Sequence, residues 1–125
     1  MAFTHSELIE VRKTRLRGLG VFARADIPEG TVIERVPLLA VTWDQIAESE
    51  LQHYVFAWNK RHTVIALGYG SLYNHSYTPN ACYQDASPRT KLFIALRDIA
   101  AGEEILVNYN ADPADLSDVG FAVHE

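Results

Sequence analysis

One short pattern occurs twice in this chain, once near the start and once near the end. The segments 26–33 and 98–105 share an Asp-Ile pair, then a glycine, then an isoleucine at matching positions. β-prone residues flank both turns, and the first turn, Pro28-Glu29-Gly30, is rich in turn-forming residues. The repeat is too short to indicate a solenoid. It predicts two similar strand–turn–strand corners in a mainly β domain.

The segment from Thr42 to Lys60 departs from this β pattern. Its apolar residues recur at roughly helical spacing, and Thr42 with Gln45 has the pattern of a helix capping box. We therefore expect one or two short helices inserted between strands. No low-complexity linker divides the chain, and its 125 residues are expected to form one domain.

Charge and composition limit the classes of function. A formal net charge of −5 argues against a broad basic surface for direct nucleic-acid binding, although basic residues cluster between Arg12 and Arg17. The single cysteine, Cys82, excludes an intramolecular disulfide and a cysteine-rich zinc site. No apolar run approaches the ~20 residues that span a bilayer, and no signal peptide is recognisable. We expect a soluble intracellular protein, in the cytoplasm or with the nucleoid or nucleus, and no membrane partner.

Two familiar site patterns can be set aside. Gly18–Ala23 matches a dinucleotide-binding fingerprint, but basic residues precede it and a turn follows it, where that motif needs a buried strand and a helix. His53, His62 and His75 have spacings that match no common metal site, so no metal is expected. Two glycines separated by one residue still allow a close approach of the backbone to a ligand or a sharp bend.

The segment Ser71–Tyr83 makes conflicting demands on a fold. It combines amides and hydroxyls, which a core strand does not need, with aromatic rings, which a surface loop does not need. Asn74 and His75 offer hydrogen-bond donors and acceptors at neighbouring positions, and Pro79 stiffens the loop that presents them. A loop that holds a polar ligand is one interpretation, and an Asx-rich turn is the other.

Three segments taken in order favour the first interpretation. A Gly-x-Gly segment at 18–20 is followed by Asn-His-Ser-x-x-Pro-Asn at 74–80, and then by Gly-Glu-Glu-Ile at 102–105 before Tyr109. This series resembles the SET domain of protein-lysine methyltransferases, over about Leu8 to Asn110. The resemblance implies a mainly β (β-clip) fold with a short helical insert and a C-terminal pseudoknot. It also implies a core of about 8–110 and a closing tail at 111–125.

The resemblance carries a chemistry with it. It implies that the protein uses S-adenosyl-L-methionine to methylate a lysine side chain of a protein, with Tyr109 as the catalytic residue. The implied cofactor-binding residues are Arg17, Gly18, Leu19, Gly20, Asn74, His75 and Phe121. The implied walls of a substrate channel are Tyr69, Tyr83 and Val107. For both channel tyrosines, packing in the core is the alternative.

The implied partner is a basic, lysine-containing protein such as a histone. The acidic residues Asp112, Asp115 and Asp118 follow Tyr109 and would attract such a substrate. A homodimer through the helical insert or the tail around Phe121 would cover exposed apolar side chains, unless the two tryptophans simply complete the core. The alternative function is a non-catalytic SET-like module that binds a basic tail.

Overall fold

Two β-sheets carry most of the regular structure in the computed structural model, which describes residues 3–125. Two short helical segments lie between the third and fourth strands. In chain order the elements are β1 (Ile9–Lys13), β2 (Leu19–Ala23), β3 (Val32–Thr42), α1 (Trp43–Ile46), a 3₁₀ helix (Glu50–Tyr54), β4 (Val55–Ala57), β5 (His62–Ala66), β6 (Asn74–His75), β7 (Ala81–Ala86), β8 (Thr90–Ala95) and β9 (Glu104–Val107). The mainly β class with a short helical insert is confirmed.

The strands form one sheet of four and one of five. The first has the order β1-β2-β9-β6 and the second the order β4-β5-β3-β8-β7. All pairs are antiparallel except β6 with β9, which run parallel with Asn74 opposite Leu106 and His75 opposite Val107. A parallel neighbour cannot be reached by a tight hairpin. The two-residue strand β6 is therefore brought beside β9 by the fold of the whole chain.

The two predicted corners pack against each other. Ile27 and Ile99 exchange two backbone hydrogen bonds, of 2.7 and 2.8 Å, and both side chains are buried. Asp98 accepts a hydrogen bond of 2.8 Å from a backbone N–H of the first corner, and Asp26 accepts one of 2.9 Å from the second. The glycine of each turn has a positive φ. The repeated sequence thus forms a pair of corners that cap each other.

The core lies between the sheets and is built from alternate residues of the strands. In β3 the inward positions Glu34, Val36 and Leu38 alternate with less buried ones, as a half-buried strand requires. A shift in the β3–β8 register between Val32 and Glu34 also buries Ile33. Glu34 is the one ionisable residue among the core-facing residues of β3.

The insert begins as the capping pattern predicts. Gln45 Oε1 accepts a hydrogen bond of 2.9 Å from the Thr42 backbone N–H, and α1 starts at the next residue. The helical part ends at Tyr54, earlier than the apolar spacing suggests, because Val55–Ala57 pairs with β5 as an edge strand. After β9, residues 108–125 form turns with no helix or strand. None of the helices within residues 3–125 has the length and apolar character needed to cross a membrane.

Candidate functional site

Two cavities meet beside the 3₁₀ helix. The large cavity, of about 770 Å³, lies between the turn before β2, the strand β6 and the chain after residue 118. The small cavity, of about 360 Å³, lies between the strands β4, β7 and β8, the residues just before β6, and the end of β9 with the residues that follow it. Both volumes fall in the range of roughly 300–1,000 Å³ that is usual for small-molecule sites. The residues that line both cavities are His53, Tyr54, Val55, Ser71 and Tyr109.

Most of the predicted cofactor-binding residues lie on the wall of the large cavity. They come from three distant parts of the chain: the turn before β2, the strand β6 and the tail. The residues on this wall are Arg17, Gly18, Leu19, Asn74, His75 and Phe121. Gly20, the remaining predicted residue, lies behind the wall. The fold therefore brings these separated motifs to one place.

The carboxylate of Glu104 ties the first two of these parts together. Its Oε1 accepts a hydrogen bond from Arg17 Nη2 at 2.5 Å, and its Oε2 accepts one from Asn74 Nδ2 at 2.8 Å. Asn74 Nδ2 also donates to the Leu19 carbonyl at 3.0 Å. The Glu104 side chain is only 9% exposed, so these charge-assisted bonds are shielded from water. Both amide protons of Asn74 are thus used to hold the wall together.

The two glycines of the first motif have different requirements. Gly18 has a φ of +67°, and its carbonyl accepts hydrogen bonds from the Thr14 N–H (2.6 Å) and hydroxyl (2.7 Å), so it needs a left-handed backbone. Gly20 needs space, because a Cβ there would lie 2.5 Å from Glu104 Oε2 and 2.9 Å from Asn74 Nδ2. The first glycine shapes the turn, and the second lets the carboxylate network pack against β2.

His75 lines the large cavity and has a buried ring nitrogen without a hydrogen-bond partner. Its side chain is buried, and its Nδ1 accepts a hydrogen bond of 2.9 Å from the Tyr109 backbone N–H. Burial lowers the pKa of the imidazole, an effect that Glu125 partly opposes. A neutral ring whose Nδ1 accepts must carry its proton on Nε2. Within residues 3–125 this buried Nε2 has no hydrogen-bond partner, and the Tyr77 ring packs at right angles to the imidazole with the two centroids 4.4 Å apart.

The lowered pKa of His75 predicts a loss of stability in acid. The unfolded chain takes up a proton near pH ~6.5 and the folded chain only at lower pH. Stability that is present above that pH is therefore lost as the pH falls. We expect the free energy of unfolding, from denaturant titrations at fixed ionic strength, to fall from pH 7 to pH 5. His75→Asn, which keeps an acceptor near the Nδ1 position, should weaken this dependence, whereas His5→Asn at an exposed position should not. A wild-type pH dependence in His75→Asn would contradict this assignment.

The tail closes one side of the large cavity. Glu125 accepts hydrogen bonds from the Ser76 hydroxyl (2.5 Å) and the Tyr77 backbone N–H (3.1 Å), and Arg17 Nη1 donates to the His124 carbonyl. The Phe121 ring, about half exposed, has its centroid 6.1 Å from that of His75. The tail is therefore docked on the Asn-His-Ser segment and the turn before β2, with Phe121 beside the unpaired histidine donor.

The three aspartates of the tail have a structural role. Asp112, Asp115 and Asp118 each accept a hydrogen bond from the backbone N–H two residues later, at 2.9, 2.8 and 2.8 Å. Hydrogen bonds from Ser117 also lower the pKa of Asp115. Such Asx turns explain how a segment without helix or strand keeps a defined path. Asp112 and Asp118 remain exposed, so their charge is still available at the surface.

The small cavity has aromatic walls. Tyr83 and Val107, both predicted, line it together with Phe56 and Tyr73. The Tyr83 ring meets Phe56 edge-on at 5.0 Å, and its hydroxyl donates to the Tyr109 carbonyl at 3.2 Å. Burial raises the pKa of Tyr83 to about 12, so the hydroxyl stays protonated near neutral pH. The wall is apolar with a few fixed polar groups, as is usual for a site that orients its ligand.

The structure places Tyr69, the third predicted residue of the channel wall, in the turn that follows β5. Its side chain is 38% exposed and lines neither cavity. Its backbone N–H donates to Glu34 Oε2 at 2.9 Å within the turn that follows β5. The turn holds the backbone of Tyr69 inward, and Tyr73 supplies the ring at the cavity instead.

Tyr109 lies at the junction of the two cavities. Its hydroxyl donates to the Tyr73 carbonyl at 2.6 Å, and its ring is 5.2 Å from His75. Burial, reinforced by Tyr83 and Tyr54, raises the pKa of Tyr109 to about 12. At neutral pH the group is therefore a hydroxyl with a fixed direction and not a phenolate.

A buried cation also lines the small cavity. Lys91 Nζ lies 2.8 Å from Asp85 Oδ1, and 4.3 and 4.7 Å from the ring centres of Phe56 and Tyr83. Its side chain is 4% exposed, so the pairing with Asp85 and the two cation–π contacts replace most of its hydration. Within residues 3–125, no group of three or more His, Cys, Asp or Glu side chains is placed to hold a metal ion.

Sequence reasoning missed several residues of the site. They are Tyr54, Phe56, Tyr73, Lys91 and Glu104. Tyr73 directly precedes Asn74 in the recognised segment, and Glu104 lies in the third motif, so both carried a signal. The apolar spacing of the 42–60 segment predicts a helix at Phe56, which instead lies in the strand β4. Lys91 had no local signal, because only the β7–β8 pairing brings it opposite Asp85.

Comparison with known proteins identifies the family. Residues 18–110 match the family model described as SET domain. A Schizosaccharomyces pombe protein named "Histone-lysine N-methyltransferase, H3 lysine-37 specific" is 31% identical over 106 residues, which is 81% of this chain and 72% of the relative. A Gibberella zeae protein named "Histone-lysine N-methyltransferase, H3 lysine-36 specific" is 33% identical over 83% of this chain, but only 13% of that longer relative is covered.

A solved structure shows the same architecture. It is a crystal structure of a Plasmodium falciparum protein provisionally described as a histone methyltransferase. The TM-score is 0.73 at 31% identity, over 86% of this chain and 95% of that one. The family-model match includes all three motifs of the site, from Gly18 to Tyr109. The chain belongs to the SET domain family.

Proposed function

We propose that this chain transfers a methyl group from S-adenosyl-L-methionine to a lysine side chain of a histone or another basic protein. Lysine methylation is the activity that the names of its two fungal relatives state. The observation that carries the proposal is that two cavities meet beside Tyr109, which lines both of them. A transfer between two separately bound molecules needs such a junction, because the gain in rate comes mainly from holding the reacting groups in line.

The large cavity fits the cofactor. An adenosine with an amino-acid end offers a carboxylate and a flat ring system, and the wall of the cavity includes the guanidinium of Arg17 and the ring of Phe121. Arg17, the backbone of Gly18 and Leu19, and Asn74 would hold its polar ends. When bound, the cofactor supplies an electrophilic methyl group on a sulfonium, and the thioether product leaves without needing a proton.

The small cavity fits the reacting lysine. A free lysine amine titrates near ~10.4, and it must be neutral to attack a methyl group. Desolvation between Tyr73, Phe56 and Tyr83 lowers the pKa of such an amine. The protonated hydroxyl of Tyr109, directed by the Tyr73 carbonyl, orients groups at the junction.

Charge favours a basic substrate. The chain has a net charge of −5. Asn110 and Ala111 line the small cavity, and Asp112 follows them at the surface. A lysine- or arginine-rich segment would be attracted towards this opening. A histone substrate would place the protein with chromatin.

We assign residues 8–110 to the catalytic core and 111–125 to a segment that closes over the cofactor. The core would be completed by a pseudoknot in which the strand β9 passes the 74–80 segment. Asn80 Nδ2 donates to the Glu104 carbonyl at 2.9 Å, and Asn80 Oδ1 accepts from the Leu106 N–H at 2.8 Å. These side-chain bonds, with the parallel β6–β9 pair, support this assignment.

A homodimer would cover the apolar surface of the insert. The exposed large apolar side chains of this region are Trp43, Leu51, Tyr54 and Trp58. Both tryptophans are 38% exposed, so they do not simply complete the core. We expect sedimentation at micromolar concentration to give about twice the 14.0 kDa of one chain, and Trp58→Ser to shift it towards the monomer. A single-chain mass at every concentration would rule this dimer out.

The alternative, a SET-like module that only binds a basic tail, makes a different forecast. Such a module would bind a lysine-rich peptide without needing a cofactor, and it would leave the peptide unmodified. Calorimetry with S-adenosylmethionine and mass spectrometry of the peptide separate the two functions. Cofactor binding with a peptide mass gain of one or more methyl groups supports the proposal. Peptide binding alone supports the binding module.

A further inference from the structure

Glu34 is a buried carboxylate that neither the cofactor nor the substrate cavity accounts for. Its side chain is 5% exposed and it lines neither cavity. Burial raises its pKa, although hydrogen bonds from the Tyr69 N–H and the Tyr73 hydroxyl act against this. A carboxylate buried in the core is costly unless it is well paired. The hydrogen-bond partners of Glu34 therefore indicate which parts of the fold it positions.

One partner is the turn that leads into the Asn-His-Ser segment. Glu34 Oε2 accepts a hydrogen bond of 2.9 Å from the Tyr69 backbone N–H. Gly68, with a φ of +60°, passes so close that a Cβ there would lie 2.6 Å from the same oxygen. The turn thus wraps around the carboxylate, and the backbone before β6 is fixed relative to β3.

The other partner is Tyr73, which joins Glu34 to the junction of the cavities. The Tyr73 hydroxyl donates to Glu34 Oε1 at 2.8 Å. Its ring is stacked on Phe93 with centroids 4.3 Å apart, and it lines the small cavity. Its carbonyl accepts the Tyr109 hydroxyl at 2.6 Å. Tyr73 therefore connects the buried carboxylate of Glu34 to the hydroxyl of Tyr109.

We propose that Glu34 is a positioning residue that fixes Tyr73 at two points, through its hydroxyl and through the turn before it, so that the Tyr73 carbonyl directs the Tyr109 hydroxyl. This inference rests on the proposed methyl transfer, for which Tyr109 is the reacting-site hydroxyl. A shift of the Tyr73 backbone would turn that hydroxyl away, and small misplacements at a reacting centre are expensive in rate. Glu34 acts only through Tyr73 and touches neither reactant.

The test is a double-mutant cycle of Glu34→Gln and Tyr109→Phe. Alone, Glu34→Gln should lower kcat about tenfold, a fraction of the ~100-fold that a 1 Å misplacement can cause. The KM for the cofactor should stay within about twofold, because Glu34 lines neither cavity. In the Tyr109→Phe background the same substitution should change kcat less than about twofold, because no hydroxyl remains to be directed.

Additive effects in this cycle would overturn the inference, because they would mean that Glu34 supports the fold in general. Tyr73→Phe provides a second route, since it removes the same hydrogen bond without adding a buried amide, and it should couple to Tyr109→Phe in the same way. Glu29→Gln, in an exposed turn away from both cavities, is the control and should leave kcat unchanged.

A spectroscopic arm needs no activity. In the protein with ¹³Cζ-labelled tyrosine, the Tyr109 resonance should move in Glu34→Gln and Tyr73→Phe and stay in place in Glu29→Gln. An unmoved Tyr109 resonance in both variants would refute the positioning role. If the two variants show these shifts but the wild-type protein transfers no methyl group, the proposed function is wrong and the link from Glu34 to Tyr109 still holds.

Discussion

Tyr109→Phe should lower kcat at least tenfold and leave the fold intact. The substitution removes one hydroxyl and keeps the ring that packs beside His75 and Phe121. The lost hydrogen bond to the Tyr73 carbonyl contributes only about 0.5–1.5 kcal/mol to stability. Its effect on rate is larger, because Tyr109 lines both cavities and the reaction depends on alignment. Single-turnover kinetics with saturating cofactor measure the change directly.

Tyr69→Phe is the matched control for this experiment. It removes the same atom from a tyrosine that lines neither cavity. Its kcat should equal that of the wild type. Equal turnover in Tyr109→Phe and wild type would remove Tyr109 from catalysis. A loss in Tyr69→Phe would restore that tyrosine to the channel.

Gly20→Ala should weaken both the fold and cofactor binding. The new methyl group would lie 2.5 Å from Glu104 Oε2 and 2.9 Å from Asn74 Nδ2, so the carboxylate must leave its place. Displacing it breaks its bonds to Asn74 and to Arg17. Overpacking of this kind costs about 1–3 kcal/mol. We expect a drop of that size in the free energy of unfolding and at least a tenfold rise in the Kd for S-adenosylmethionine.

Gly30→Ala separates this effect from backbone strain. Gly30 has a φ of +83°, and a Cβ there would meet no atom within 4 Å. The substitution should therefore reduce stability through strain alone and leave the cofactor Kd unchanged. Denaturant unfolding and calorimetry on both variants give the comparison. An unchanged cofactor Kd in Gly20→Ala would mean that the hydrogen bonds of Glu104 to Arg17 and Asn74 do not support the wall of the large cavity.

The strands and corners of the fold could be predicted because their signals are local. Alternating β-prone runs and the turn at Pro28–Gly30 report their own backbone conformation. The residue at which the helical insert ends could not be predicted, because the strand Val55–Ala57 exists only through its pairing with β5. Its apolar residues suit an edge strand as well as a helix face. A pattern of short apolar runs does not separate these two outcomes.

The site was predictable where contiguous motifs form it. Asn74 and His75 line the large cavity because they occupy adjacent positions of one short strand. Tyr69 lines neither cavity, because a position near a motif does not determine which side of a turn a ring occupies. The burial of Glu34 could not be predicted from the sequence, since an isolated glutamate in a strand usually faces solvent. Its burial depends on the partners Tyr69 and Tyr73, which are distant in sequence.

The central claim is that Tyr109 stands where a methyl group passes from one cavity to the other. Methyl transfer from labelled S-adenosylmethionine to a histone mixture, followed by mass spectrometry of the product peptides, tests this claim most directly. We predict label on a lysine of a basic segment with the wild type and with Tyr69→Phe, and at least tenfold less with Tyr109→Phe. No transfer by a folded, cofactor-binding wild type to any histone or other basic protein, or equal transfer by Tyr109→Phe, would contradict the account.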